Sequence, residues 1–406
     1  MHMINRYFWT AILLVLSTTN AQAERGRPVT DKPRPDYDAV GIRIGSLVVK
    51  PKISVGLEQN DNIYAAKNNA VSDNITVTTP KVEIKSDWSS HAFSLDAGLA
   101  SGLYATKSDE NFLDGHFVVD GRLDVQRESY LTGQAGILKL HEDRSSPDSS
   151  SAWKGPADYT QSNADLSYMH GLGRTSLTAG TGITAINYDN VELLAGGTED
   201  LSVRNRNLYN INARAAYELL PTVRPFVSGR YEKRTYELSE AGRDSDGYRL
   251  GAGTGFDLGG VTTGEIFAGY MQQNYEDRES ISGPWFGMNL LWNVTQLTSI
   301  QARVLSSIKE TTLDNSPGIN AVDGNLRIDH ELLRNLLVGG FYDYTQDDYQ
   351  STDIIDTRTG LGPRATYLVN RQFSVEASYA YRTLDSSESS REYTENVFHI
   401  SLTGKY

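Results

Sequence analysis

Apolar and polar side chains alternate along most of the chain beyond residue 45. Between residues 373 and 382, Phe373, Val375 and Tyr379 share one face, while Glu376 and Arg382 lie on the opposite face. A strict period of two predicts β-strands with one apolar and one polar side. The pattern predicts eighteen strands, at about 46–58, 74–88, 91–105, 112–127, 129–142, 158–171, 173–188, 203–219, 222–237, 243–258, 260–276, 280–294, 296–312, 319–331, 334–347, 354–369, 371–385 and 391–406.

The connections between these strands alternate between short turns and longer polar links. Short turns are predicted near residues 89, 128, 172, 221, 259, 295, 333 and 370, and longer links include 59–73, 143–157, 190–202 and 346–353. The strands run past ten residues, whereas strands of soluble sheets average about five to six. We therefore expect an all-β, transmembrane antiparallel barrel of about eighteen strands (sixteen is the alternative), with short periplasmic turns and longer extracellular loops. A soluble sandwich shows a similar alternation and remains the competing fold.

The alternation continues through residues 398–406. Phe398, Ile400 and Tyr406 share an apolar face, and His399 and Lys405 lie on the face predicted to line the lumen. A terminal strand that ends in an aromatic residue resembles the closing strand of bacterial outer-membrane barrels. Because an unpaired strand edge in lipid costs several kcal/mol per backbone group, we expect strand 391–406 to pair with strand 46–58.

The first 45 residues differ from the rest. Arg6, the apolar run 7–16 and the small-x-small pattern Ala21-Gln22-Ala23 predict a secretory signal peptide over residues 1–23. Residues 24–45 contain Pro28, Pro33 and Pro35 among mixed charges and are predicted to form an extended periplasmic arm. The expected organisation is thus signal peptide 1–23, arm 24–45 and transmembrane barrel 46–406.

Composition argues against several classes of protein. The chain has no Cys, so neither a lipoprotein anchor nor a disulfide framework is expected. The formal net charge of −13 argues against a nucleic-acid partner. After the signal, no apolar run is long enough for a membrane-spanning helix.

Aromatic residues near the strand ends are candidates for interfacial girdles. The candidates are Trp88, Tyr130, Tyr188, Tyr217, Tyr236, Trp292 and Tyr406. Lipid-interface anchoring is the favoured role over ligand stacking.

Charged residues recur on the faces predicted to point inward. The lumen-facing candidates are Arg122, Arg214, Arg230, Glu232, Arg234, Arg249, Arg303, Arg364, Glu376 and Arg382. Rings of Arg select anions or present forks to carboxylates. Because acids are interleaved with these bases, a salt-bridged lumen wall is the favoured interpretation, and a lumen that takes an anionic solute or polymer is the alternative.

Signatures of catalysis are mostly absent. The chain carries no Gly-x-Ser-x-Gly, Gly-x-x-x-x-Gly-Lys or His-Glu-x-x-His motif. His141-Glu142-Asp143, near a predicted outer rim, is the best candidate for a barrel enzyme, but a polar loop flank explains it as well. Asn60-Asp61-Asn62 lacks the spacing of a calcium loop. We expect no catalytic residue, metal or cofactor.

Two stretches near the start of the predicted barrel resemble a known family. Residues 33–46, Pro-Arg-Pro-Asp-Tyr-Asp-Ala-Val-Gly-Ile-Arg-Ile-Gly-Ser, precede a first strand that contains Pro51, and Asn60-Asp61-Asn62-Ile63-Tyr64 follows it. This pattern resembles the family Putative beta-barrel porin 2 of Gram-negative outer-membrane proteins. The departure is Gln59-Asn60-Asp61, where the family usually has an aromatic residue and Asp.

The resemblance implies a porin of the Gram-negative outer membrane that acts in exopolysaccharide or capsular polysaccharide secretion. The expected partners are outer-membrane lipid and lipopolysaccharide, the barrel-assembly machinery and a periplasmic polysaccharide-export protein docked through residues 24–45. A disordered linker is the equally weighted alternative for residues 24–45. We expect a monomer. A general diffusion porin for small solutes is the main alternative, and a barrel enzyme or a surface structural protein is less favoured.

Overall fold

Eighteen long antiparallel strands dominate the computed structural model, which describes residues 26–238, 242–313 and 315–406. The predicted signal peptide, 1–23, lies outside the described residues. The strands are β1 Leu47–Asn60, β2 Asp73–Ser86, β3 Ala92–Tyr104, β4 Phe112–Gln126, β5 Ser129–His141, β6 Asp158–Leu172, β7 Thr175–Tyr188, β8 Arg206–Tyr217, β9 Val223–Tyr236, β10 Ser245–Leu258, β11 Thr262–Tyr275, β12 Ile281–Thr295, β13 Thr298–Lys309, β14 Ile319–Leu333, β15 Leu336–Tyr349, β16 Ile355–Leu368, β17 Phe373–Ser386 and β18 Tyr393–Lys405.

The sheet closes on itself. Each strand pairs with the next, and β18 pairs with β1 in a register that runs from Lys52 opposite Lys405 to Asn60 opposite Val397. Closure gives every barrel strand a neighbour on both sides, which removes the exposed edges that lipid does not tolerate. The predicted eighteen-stranded antiparallel barrel is confirmed, and each predicted strand end lies within three residues of the observed one.

Side chains on the outer face are apolar and uncovered. Leu57, Ile211 and Leu250, on β1, β8 and β10, are 61, 64 and 58% exposed. Strands of 12 to 15 residues, tilted as barrel strands are, are long enough to cross the hydrocarbon layer. The alternation therefore presents an apolar belt to lipid and leaves the polar face for the interior. Within the described ranges no helix is long and apolar enough to span a membrane.

A charge placed on this belt is expected to destabilise the barrel. Ile211→Arg puts a guanidinium group in mid-strand and should cost about 2–4 kcal/mol. Leu194→Arg is the matched control, because Leu194 is 68% exposed but lies in the loop between β7 and β8. Its expected cost is within about 0.5 kcal/mol. Denaturant unfolding in lipid vesicles measures both, and equal losses would contradict a lipid-facing belt.

Turns at one end of the barrel are short and loops at the other end are long. The turn between β10 and β11 is Gly259, Gly260 and Val261, and its two glycines adopt φ of 68° and 74°, which favour glycine. At the opposite end, the loop from β5 to β6 covers residues 142–157 and the loop from β7 to β8 contains a small hairpin at 191–199. This asymmetry matches the predicted periplasmic turns and extracellular loops.

The predicted aromatic girdle is partly wrong. Trp88, Tyr217, Trp292 and Tyr406 are exposed on the outer surface. Tyr130, Tyr188 and Tyr236 instead have partners in the interior: Arg122 lies 4.0 Å from the ring of Tyr130, the Tyr188 hydroxyl accepts a hydrogen bond from Arg204, and Tyr236 donates to Glu310. These three side chains point inward because successive residues of a strand face opposite sides of the sheet, so a shift of one position moves a side chain to the other face.

Candidate functional site

A cavity of about 610 Å³ occupies one side of the barrel interior. Its described lining comes from β14–β18 and β1–β5, with additional residues from the loops after β1, β3 and β5. On β18 the lining extends from Glu395, near the extracellular end, to Thr403, near the periplasmic end. Eight residues of strand cover about 27 Å, so the cavity follows the wall through most of the barrel height.

Small side chains keep this side of the lumen open. Ser54 and Gly56 on β1, Ser378 and Ala380 on β17, and Ser401 on β18 all line the cavity. They occupy alternate positions, as inward-facing residues of strands do. The open space therefore follows from residue size on adjacent strands.

On the opposite side of the lumen, aromatic side chains pack together. Phe226, Phe267 and Trp285 lie on the inner faces of β9, β11 and β12, and the rings of Phe267 and Trp285 are 4.6 Å apart. Gly251 on β10 makes room for the indole, because a Cβ at that position would lie 2.9 Å from the Trp285 ring. The interior is thus divided into a packed half and an open half.

Charged side chains of the cavity are held in ion pairs with neighbours. The pairs are Arg382–Glu395 at 3.2 Å, Arg144–Glu110 at 2.6 Å, Lys81–Asp96 at 2.5 Å, and Arg364–Asp329. Opposite charges at such distances cancel most of each other's field at longer range. The wall consequently offers donors and acceptors in fixed positions without a strong net potential.

The ten side chains predicted to face the lumen do not form one ring. Arg364, Glu376 and Arg382 are among the described residues that line the cavity. Elsewhere, Arg122 pairs with Asp124 at 2.7 Å, Arg214 pairs with Glu265 at 2.6 Å, and Arg230, Arg234 and Arg249 converge on Glu232 at 3.1, 2.9 and 3.3 Å. Arg303 lies half-buried on β13. The structure therefore brings three of the ten together around the carboxylate of a fourth, Glu232, and none of these four is among the described lining residues of the cavity.

Several lining residues were missed by the sequence analysis. Lys52 and Glu58 are on β1, and Tyr104 and Glu110 are at and just beyond the end of β3. The two β1 residues could have been found, because they alternate with the exposed Ile53, Val55 and Leu57. Glu110 lies in a loop, where no alternating pattern indicates which way a side chain faces.

The loop from β5 to β6, residues 142–157, folds over the extracellular end of the cavity and is called the inner loop here. Asp143 and Arg144 line the cavity. Farther along the loop, Asp148 accepts hydrogen bonds from the backbone N–H and the hydroxyl of Thr312, at 2.9 and 2.7 Å, in the loop after β13. Trp153 is buried in an apolar cluster with residues of the loop from β7 to β8. These contacts hold the inner loop against the loop after β13 and the loop between β7 and β8.

The residues considered for a barrel enzyme make structural contacts. His141 Nδ1 lies 2.8 Å from Asp114 Oδ1, and the His141 ring stacks on Phe112 with 4.0 Å between centroids. The Glu142 carboxylate accepts two hydrogen bonds of 2.8 Å from the buried Arg204. Among the residues that the structure describes, no group of three or more His, Cys, Asp or Glu is placed to hold a metal ion.

The arm, of which residues 26–45 are described, packs on the periplasmic rim. The Val29 N–H donates to Ser299 Oγ at 3.0 Å, and Arg34 Nη2 donates to Glu331 Oε2 at 2.8 Å. Val29 and Arg34 are 0 and 2% exposed. This part of the arm is therefore buried against β13 and β14.

The remainder of the arm continues along the same rim towards β1. The Pro35 carbonyl accepts a hydrogen bond of 2.8 Å from Arg371 in the turn after β16, and Ile42–Ile44 pairs with the start of β1. Val40 and Ile44 are 72 and 62% exposed. The arm thus follows the periplasmic ends of β14–β18 and β1, the strands that line much of the cavity.

Comparisons with solved structures find outer-membrane barrels of low identity. Acinetobacter baumannii OccAB2 is 12% identical, with a TM-score of 0.47 over 89% of this chain and 98% of that chain. Pseudomonas aeruginosa OpdQ is 10% identical, with a TM-score of 0.47 over 89 and 98%. The unliganded ferric citrate transporter FecA is 13% identical, with a TM-score of 0.47 over 83% of this chain, which spans only 60% of FecA.

A comparison with curated proteins found no match. The sequence profile of one family matches residues 34–406, which include the described part of the arm from Arg34 and all eighteen strands. The family match, the closed barrel and its apolar belt assign the chain to the porin-like barrels of the outer membrane. The chain belongs to the family described as Putative beta-barrel porin 2.

Proposed function

We propose that this barrel is a conduit for the secretion of an exopolysaccharide or capsular polysaccharide. The observation that carries the proposal is the cavity, whose lining extends from Glu395 to Thr403 along β18. Conduction requires many weak contacts along a path rather than one tight site. A long cavity lined by small polar side chains and paired charges meets that requirement.

The mechanism is passage of the polymer through a hydrated lumen of mixed charge. Hydroxyl groups of Ser54, Ser378 and Ser401, the Asn60 amide and the Arg382 guanidinium line the path. Sugar hydroxyl groups both donate and accept hydrogen bonds, so each can exchange partners between these side chains and water as the chain advances. No step requires chemistry on the polymer.

A periplasmic export protein would meet the barrel at the exposed part of the arm. Val40, Ile42 and Ile44 are exposed apolar side chains at the periplasmic rim, where the polymer would enter the barrel. Exposed apolar residues grouped in this way are typical of docking surfaces. In this proposal the barrel acts as a monomer.

Deletion of the gene tests the secretion function. The expected result is loss of polysaccharide from the cell surface with accumulation in the periplasm, both measured by sugar analysis of fractionated cells. Restoration by the plasmid-borne chain is the control. Unchanged export in the deletion strain would defeat the proposal.

A variant with an obstructed cavity tests whether the polymer passes through the cavity. Ser378→Trp places an indole in the open half of the lumen, where Ser378 is a lining residue. Val227→Trp is the matched control, because Val227 lies on the outer face of β9 and is 59% exposed. Only the first variant is expected to fail to restore export. Full restoration by Ser378→Trp at equal abundance would show that the polymer takes another route.

The alternative is a general diffusion porin for small solutes, which the family description favours. Single-channel conductance and liposome swelling with small sugars distinguish the two functions. A barrel that passes ions and small sugars freely, in a cell whose polysaccharide export does not depend on it, would support the diffusion porin.

A further inference from the structure

Bases and acids are nearly balanced along the open half of the lumen. Among the described lining residues, six are Lys or Arg and seven are Asp or Glu. Four of the cations are held by carboxylates in the pairs described above. The Glu142 carboxylate is in turn held by Arg204. The cavity therefore has no excess of positive charge to attract an anion.

An acidic polymer would find no attractive potential along such a path. Channels that conduct anions present rings of Lys or Arg at the constriction. Here a carboxylate of the polymer would compete with Glu395 for Arg382 and with Glu110 for Arg144. The protein as a whole, with a formal net charge of −13, also disfavours the approach of polyanions.

The same wall suits an uncharged sugar chain. A guanidinium group in an ion pair retains further N–H donors, and the paired carboxylate retains acceptor positions, so both kinds of group remain available to hydroxyls. Tyr104, Phe112 and Phe341 add aromatic rings to the lining, and aromatic rings are frequent in ligand sites, where they cover apolar faces. We propose that the cavity selects uncharged saccharides and excludes acidic ones.

This inference rests on the proposed function and specifies its substrate class. The cavity volume of about 610 Å³ lies in the range of about 300–1,000 Å³ typical of sites for drug-sized ligands. That size accommodates a short segment of a saccharide chain at one time. A longer polymer would pass as successive segments.

The test is performed on the purified full-length barrel in planar bilayers. Maltohexaose is the uncharged probe and hexagalacturonate is the acidic probe of equal length. Maltohexaose is expected to reduce the ion current at a concentration at least about tenfold lower than hexagalacturonate, a difference of about 1.4 kcal/mol in binding. A permeability ratio of chloride to potassium near or below unity is expected in a salt gradient. Preference for hexagalacturonate, or clear anion selectivity, would overturn the inference.

Variants that remove the carboxylate partner of a lining cation should reverse the preference for the uncharged probe. Glu395→Gln and Asp329→Asn remove the partners of Arg382 and Arg364 and should shift both block and ion selectivity towards anions. Glu265→Gln is the matched control, because it releases Arg214, which is not among the described lining residues of the cavity. An equal shift in all three variants would contradict a role for the cavity charges. If a variant does not fold, the two probes on the unaltered barrel still decide the question.

The bilayer measurements do not depend on export. Failure of the deletion experiment would remove polysaccharide secretion as the function and leave the charge preference of the lumen standing. Block by the acidic probe would overturn the substrate class and leave secretion possible. The two failures are thus distinguishable.

Discussion

Replacing Arg34 by alanine is expected to release the arm from the periplasmic rim, where Ser299 and Glu331 hold it on the inward-facing sides of β13 and β14, and thereby to raise the conductance of the barrel. Arg34 and Glu331 form a buried ion pair, with 3 and 7% of their side chains exposed. Removal of one partner from such a pair typically costs about 3–5 kcal/mol, because the other charge remains buried. A change of that size shifts the equilibrium between docked and released arm by more than about a hundredfold. Sensitivity of the arm to proteinase K and single-channel conductance measure the effect.

Arg334 provides the matched control for this prediction. It pairs with the same carboxylate at 3.4 Å, but 60% of its side chain is exposed. An exposed pair contributes at most about 1 kcal/mol, so Arg334→Ala should leave both the protease sensitivity and the conductance near those of the unaltered barrel. If the two variants behave alike, the buried contact does not hold the arm.

Replacing Asp356 by alanine is expected to cause a large loss of barrel stability. Asp356 is 0% exposed at the extracellular end of β16, where Arg391 Nη2 lies 2.6 Å and Arg358 Nη2 lies 3.6 Å from its carboxylate. Without that carboxylate, the positive charges near it lose a partner in a buried environment. The expected loss is about 3–5 kcal/mol, measured by denaturant unfolding in lipid vesicles.

Two further variants show how much of this loss of stability is due to the charge of Asp356. Asp356→Asn keeps the shape and an oxygen acceptor, so its loss should be smaller than that of Asp356→Ala. Asp353→Ala alters an exposed residue in the preceding loop and should change stability by no more than about 0.5 kcal/mol. Similar stability of Asp356→Ala and Asp353→Ala would show that the buried pairs contribute little.

The fold was predictable because membrane strands are long and have a simple period. Alternation along 371–385 or 391–406 specified both the strand and its two faces, and the alternation of short and long connections specified the topology. The face of the barrel that an aromatic side chain occupies was harder to predict. Tyr130 and Tyr236 were assigned to the lipid interface because of their residue type, yet the pairing of the strands turns them towards Arg122 and Glu310.

The candidate site was only partly predictable. Arg364 and Arg382 were identified from their polar faces, and both line the cavity. Their partners Asp329 and Glu395 lie on other strands, and the alternation does not specify which inward-facing charges are close enough to pair. Glu110 and Arg144 come from two loops, where no period exists to reveal them.

By itself the sequence determined the number of strands to within two, their boundaries to within a few residues and the apolar belt, because these depend on local alternation and on the thickness of the bilayer. Only the tertiary structure decided how the interior is filled. Phe226, Phe267 and Trp285 pack one half, while Ser54, Gly56 and Ser378 leave the other half open. The inner loop lies over the extracellular end of the cavity and the arm packs on the periplasmic rim, each held by contacts with residues distant in sequence. Such arrangements depend on which side chains meet across the lumen, and closure of the barrel is what brings them together.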